Sequence, residues 1–207
     1  MVHYFLIYTL IFLKCISALT PPPENFTLTS ITYAGTGCPA GSIAARLSPD
    51  RTKLILSTDG FAVQSGDPTY PASALRKICQ VSIAHDYPTT HQYRIVAPKI
   101  TGLINISKNV NATTNFAVYY PAFDSPIPAF KATIEGPTYG LTEWNLTQSQ
   151  PEWPESGWSP CGGPSARTLN LNVQNRLYVK NVTVDEGRAE IYTFLFDLEW
   201  RNEYCHS

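Results

Sequence analysis

Three sets of residues in this chain have the types and spacing to do chemistry. The first interleaves acids with indoles: Glu143, Glu152 and Glu155 lie among Trp144, Trp153 and Trp158. Glycoside hydrolysis needs two carboxylates roughly 5–10 Å apart, and an exposed indole offers a sugar ring a flat apolar face. If they are exposed, Trp144, Trp153 and Trp158 form a ligand surface. If they fold back over a sandwich edge, they are core. The second set is His85-Asp86 and His91, on either side of a turn, with His206 near the end. A metal site needs three or four converging ligands and a supporting shell. Two histidines and an aspartate at a surface turn fall short of that, and the chain has no HExxH, so neither a metal nor a cofactor is expected. The third set is Ser159 and the cysteines. Ser159 precedes Pro160, which removes the N–H that an oxyanion hole would use, and no G-x-S-x-G elbow occurs. No catalytic residue is assigned on these grounds.

Copper-dependent polysaccharide oxidation is excluded by the leader. Residues 1–20 read as a secretory signal peptide, with an apolar run from Tyr4 to Leu13 and a cleavage point near Ala18. A run of ten residues is too short to span a bilayer, so no membrane association is expected after cleavage. The mature chain then begins at Leu19 or Pro21, not at the histidine such oxidases use as a ligand.

Cleavage also removes Cys15 and leaves Cys38, Cys79, Cys161 and Cys205. Four cysteines in a secreted chain imply two disulfides, with three connectivities open. Cys38–Cys79 with Cys161–Cys205 is favoured because it joins the nearest partners in sequence. Five N-x-S/T sequons, at Asn25, Asn105, Asn111, Asn145 and Asn181, point to the same extracellular route. The net charge of −1 and the scattered lysines and arginines exclude nucleic acid as a partner.

These groups must be positioned by strands. Ile191 to Cys205 (IYTFLFDLEWRNEYC) places Tyr192, Phe194, Phe196, Leu198 and Trp200 at every second residue, the period of a strand with one buried face. Thr193, Asp197 and Glu199 fall on the other face. Further strands are predicted at Phe26–Tyr33, Ser42–Leu47, Lys53–Thr58, Lys77–Ala84, Gln92–Val96, Gly102–Val110, Asn115–Tyr120, Phe130–Ile134 and Asn175–Val184. Asp59 to Pro71 reads as a loop around Phe61 and Val63. Ser73 to Cys79 holds one helical turn at most. Glu135 to Ser165, rich in Trp, Pro and Gly, reads as a long loop. The pattern predicts an all-β fold: one antiparallel β-sandwich of about ten strands, spanning 21–207 as a single domain. Apolar content of 43% against 15% charged supplies its core.

Several motifs stand together in order. They are Gly37-Cys38-Pro39-Ala40-Gly41-Ser42, Leu47-Ser48-Pro49-Asp50, Arg76-Lys77-Ile78-Cys79, Trp158-Ser159-Pro160-Cys161-Gly162, and Leu198-Glu199-Trp200-Arg201 before Cys205. Over nearly the whole mature chain this resembles the domain of unknown function 4360 family, small secreted proteins frequent in filamentous fungi. The resemblance implies secretion, one disulfide-linked domain and a fungal source, and it assigns no residue a catalytic role. The expectation is a secreted, non-catalytic glycoprotein binding at a cell surface, cell wall or host interface, as an effector would. Its partner would be a polysaccharide or a host or cell-surface protein. The alternatives are an extracellular carbohydrate-active enzyme using Glu143, Glu152 or Glu155, and an accessory protein of a secondary-metabolite pathway.

Overall fold

The computed structural model describes residues 20–121, 129–148, 157–164, 168–202 and 204–205. Eleven strands run along the described chain: β1 (Thr27–Ala34), β2 (Ile43–Leu47), β3 (Lys53–Ser65), β4 (Arg76–Asp86), β5 (Gln92–Ile106), β6 (Val110–Tyr119), β7 (Ala129–Glu135), β8 (Thr138–Asn145), β9 (Thr147–Gln148), β10 (Thr168–Val179) and β11 (Gly187–Arg201). They form two antiparallel sheets. One is ordered β1-β4-β10-β6-β7-β9 and the other β2-β3-β11-β5-β8. The inner faces of the two sheets supply the core, so the fold is the all-β sandwich that the alternation predicts.

β11 organises the five-stranded sheet because it lies between β3 and β5. Its inner face carries Ile191, Phe194, Phe196, Leu198 and Trp200, all buried. Phe194 and Phe196 stack with Phe116 of β6 across the sandwich, Phe196 at 4.8 Å between ring centroids. Each such ring contributes roughly 2–3 kcal/mol by leaving water.

Strict alternation misplaces Tyr192. The ladder shifts register between Ile191 and Thr193 on both sides of β11, so Ile191 and Phe194 both turn inward and Tyr192 faces out. The same bulge explains the predicted loop at Asp59–Pro71. β3 continues through it to Ser65, burying Phe61 and Val63. Three residues, Thr58 to Gly60, intervene between the pairs Ser57↔Thr193 and Phe61↔Ile191. Gly60, at φ +82°, supplies a turn that a side chain would resist. The predicted strands Gln92–Val96 and Gly102–Val110 are likewise one strand up to Ile106. Ala97 and Pro98 form a bulge between the pairs Val96↔Asp197 and Lys99↔Leu195, the place a proline can occupy inside a sheet.

The stretch Glu135–Ser165 is not one long loop. β8 within it edges the five-stranded sheet and β9 edges the six-stranded one. The strand expected at Asn175–Val184 is β10, which starts earlier, at Thr168, and ends at Val179. The one helical turn is 3₁₀, Ala72–Leu75, and Cys79 belongs to β4.

The disulfides join Cys38 to Cys79 and Cys161 to Cys205. They close separations of 41 and 44 residues, each worth roughly 2–4 kcal/mol through the unfolded chain.

Candidate functional site

The segment Trp158 to Gly162 lies along the start of β5. The Ser159 N–H donates to the Tyr93 carbonyl at 2.7 Å, and the Tyr93 N–H returns to Ser159 Oγ at 2.9 Å. Gln92 Nε2 donates to the Ser159 carbonyl, and the Gly162 N–H to the His91 carbonyl. Tyr87 Oη lies 2.8 Å from Ser159 Oγ and 2.6 Å from the Pro160 carbonyl. Only glycine fits at 162, since an added Cβ would stand 2.1 Å from the Pro88 carbonyl oxygen. Ser159 is fully buried (0% exposed) and its hydroxyl is consumed by this latch. Its role is structural for a reason stronger than the proline after it.

Trp158 is no exposed platform: of the two readings, ligand surface or folded-back core, it takes the second. It is 6% exposed. The guanidinium carbons of Arg94 and Arg201 lie 4.8 and 4.1 Å from its ring centroid. Arg94 also pairs with Glu199 at 2.7 Å, and Arg201 donates to Gln92 Oε1 and covers the ring of Tyr204. Burial and two cations at the ring make Trp158 a bolt between the latch and the outer face of the sheet. Trp144 is half-buried and points the other way, into both parts of the core. Gly102 leaves room for it, with a Cβ site 3.1 Å from the indole. The fold therefore does not bring Trp144 and Trp158 together. Trp153, Glu152 and Glu155 lie outside the described residues. Glu143 stands on the open face of β8, 3.9 Å from Lys99 Nζ.

The histidines part in the same way. His85 is 1% exposed, stacked on Tyr87 at 5.4 Å. Its Nδ1 faces the Ile83 carbonyl and so carries the proton. Nε2 then accepts from Tyr93 Oη at 3.0 Å. Burial holds the imidazole pKa below its ordinary value, against the weaker opposing pull of the carbonyl. Burial also pushes the Tyr87, Tyr93 and Tyr120 hydroxyls well above theirs. His91 lies nearer the surface and meets Thr90 Oγ1. Among the described residues no three of His, Cys, Asp and Glu converge to hold a metal. His206 lies outside the described residues.

An open groove of about 350 Å³ runs beside the end of β11, lined by Thr20, Pro21, Pro22, Val96, Leu198 and Trp200 among others. Lys53, Asp197 and Glu199 stand on its walls. Lys53 pairs with Asp197 and Arg94 with Glu199, so both carboxylates are neutralised where they stand. The alternation of β11 placed Asp197 and Glu199 outward. The walls come from four separate stretches of chain, and no local signal links them.

Sequon asparagines 25, 105, 145 and 181 are exposed, and Asn111 is half-exposed on β6. The described residues include no helix long and apolar enough to cross a membrane.

One relative, an uncharacterised secreted protein of Arthroderma benhamiae, is 31% identical over 157 residues, 76% of this chain. The alignment spans about 61% of that protein's length. Among solved structures, a carbohydrate-binding module in complex with beta-1,4-galactotriose overlaps 84% of this chain and 88% of its own at 9% identity and a TM-score of 0.25. The tobacco necrosis virus protein overlaps 87% and 93% at 8% identity and a TM-score of 0.21. At TM-scores this low the likeness says nothing about ligand or activity. A family model does match, across residues 24–202, and with it the order of the cysteine-centred motifs is accounted for: the chain belongs to the family described as domain of unknown function (DUF4360).

Proposed function

We propose that residues 21–207 form a secreted, N-glycosylated binding protein without catalysis of its own, released from a signal peptide at residues 1–20. It acts at a cell surface, cell wall or host interface. The groove beside β11 is its contact surface, and this observation carries the reading. Pro21, Pro22, Val96 and Leu198 give it apolar walls, while Thr52, Lys53, Asp197 and Glu199 add polar ones. Apolar walls with a few placed polar groups, at this volume, suit a small ligand segment. Sugar rings present the matching alternation of C–H faces and hydroxyls, so a polysaccharide fits better than a flat protein surface. The chemistry-bearing side chains support the same reading, because they are bound up in structure. The four cysteines are bridged, Ser159 and His85 are buried in hydrogen bonds, and Asp197 and Glu199 are ion-paired.

The test is a glycan array and a pull-down on cell-wall polysaccharides, with the secreted protein and a Val96→Trp variant. Val96 is half-exposed, so the indole would fill the groove without entering the core. Loss of at least about tenfold in affinity (about 1.4 kcal/mol) with an unchanged Tm is expected. Equal binding by both proteins would move the contact elsewhere, and no binding by either would remove the polysaccharide reading.

A further inference from the structure

The exposed apolar side chains are not scattered. Of nine large hydrophobic residues exposed among the described ones, Tyr139, Leu141, Tyr178, Val182 and Val184 lie beside sequons. Asn105 of β5 is the direct cross-strand partner of Tyr139 on β8, which is 70% exposed. Asn111 of β6 is the direct partner of Tyr178 on β10, which is 46% exposed. Val182 lies inside the Asn181 sequon and Val184 one residue after it. Leu141, 71% exposed, lies two residues from Tyr139 and four from Asn145 on one face of β8.

β8 is also one of the two edges of the five-stranded sheet, and among the described residues it has a ladder only with β5. An exposed edge bearing large apolar groups invites pairing with another chain. Natural edges are blunted by charge, proline, bulges or a cover. The β8 sequence TYGLTEWN has one charge and no proline. It does end in one sequon asparagine, Asn145, and faces another, Asn105. The Asn105 carboxamide leans toward β8, because the Gly140 N–H donates to its Oδ1 at 3.1 Å. That leaves Nδ2, the atom a glycan would occupy, beside Tyr139.

We propose that the N-glycans of Asn105 and Asn145 are structural: their core sugars lie on Tyr139 and Leu141 and close the β8 edge. The Asn111 glycan meets Tyr178 on the opposite sheet in the same way. Directly opposed cross-strand residues have Cβ atoms about 5 Å apart, within reach of the first N-acetylglucosamine. The C–H face of that sugar is weakly positive and the tyrosine ring face is negative, so the two attract beyond simple burial. This inference rests on the reading of the chain as an N-glycosylated secreted protein.

The test uses the full chain secreted from a eukaryotic host. Glycopeptide mass spectrometry first gives occupancy at each sequon. Thermal unfolding is then compared for wild type, Asn105→Gln, Tyr139→Ala and the double variant, each with glycans intact, trimmed to one N-acetylglucosamine, or removed. Removing the Asn105 glycan is expected to lower Tm by about 2–4 °C when Tyr139 is present and to do nothing in Tyr139→Ala. One sugar should retain most of the effect, and its acetyl methyl resonance should move upfield over the ring. Full occupancy with additive effects would overturn this inference alone. An unoccupied Asn105 would overturn it together with the glycoprotein reading at that site.

Discussion

The two ends of the core are built from different materials. One end holds Val63, Ile104, Ile106, Val110, Ala112, Leu177 and Ala189, aliphatic throughout. The other gathers Phe26, His85, Tyr87, Tyr93, Tyr120 and Trp200, whose rings meet edge-on or tilted at 4.9–6.2 Å apart from the stacked pair His85 and Tyr87. At the aromatic end the core rings themselves are hydrogen-bonded, and that end is closed by the Trp158–Gly162 latch and the Cys161–Cys205 bridge. At the aliphatic end the buried hydrogen bonds run beside the packed side chains, from Asn175 Nδ2 to the Ala189 carbonyl and from Ser65 Oγ to the Asp185 carbonyl. The packed side chains of the aliphatic end carry no titratable group and depend on volume, so shape-preserving exchange is tolerated there. The aromatic end depends on directed bonds, so single atoms matter there.

The sharpest way to test the contrast is to remove volume from the dry end. Ile104 is fully buried, and Ile104→Ala should cost about 2–5 kcal/mol in urea unfolding, with little change when the same experiment is run at lower pH. A cost under about 1 kcal/mol would mean that this end repacks freely. Removing one oxygen from the other end comes next. Ser159→Ala deprives the Tyr93 N–H of its partner and Tyr87 Oη of one of two, at a cost of about 1–3 kcal/mol. Unchanged stability would show that the latch is held by the disulfide and Trp158 instead.

The smallest effect separates the ends by pH. The pKa of His85 is lowered in the folded state, so the unfolded chain binds the extra proton first. The contribution is complete above the ordinary histidine value and is lost as pH falls from there through the folded value, by up to about 1.4 kcal/mol per unit. Tm should therefore drop between pH 7 and 5. His85→Gln can still accept from Tyr93 and should flatten that slope. An equal slope in both proteins would assign it to other groups.

How far the chain could be read in advance follows the same division. The alternation in β11 is written in its own residues, so its partnership with a buried face was legible. So were the antiparallel sandwich and the proposal that nearest cysteines pair. Bulges were not legible, because Tyr192 and Ala97-Pro98 break alternation only once a neighbouring strand sets the register. That is why two predicted strands proved to be one and the first half of a predicted loop, Asp59 to Ser65, proved to be the second half of β3. The latch was less legible still. Ser159 meets residues more than sixty positions away, Gln92, Tyr93 and Tyr87, and nothing in Trp-Ser-Pro-Cys-Gly names them. Tryptophan in a polar stretch reads equally as platform or plug, and only the two arginines at its ring decide between them.

β11 stands at the centre of its sheet yet comes last of the strands in the chain. β3 and β5 have no ladder with each other and meet only through it. In a polypeptide synthesised from its N-terminus, the strand pairs β2–β3 and β5–β8 must therefore wait, each with one edge unpaired, until the final strand emerges. During that interval Asn105, whose neighbour on β11 is Arg188, still lies on an open edge, within reach of an enzyme that modifies asparagine before the sheet closes beside it.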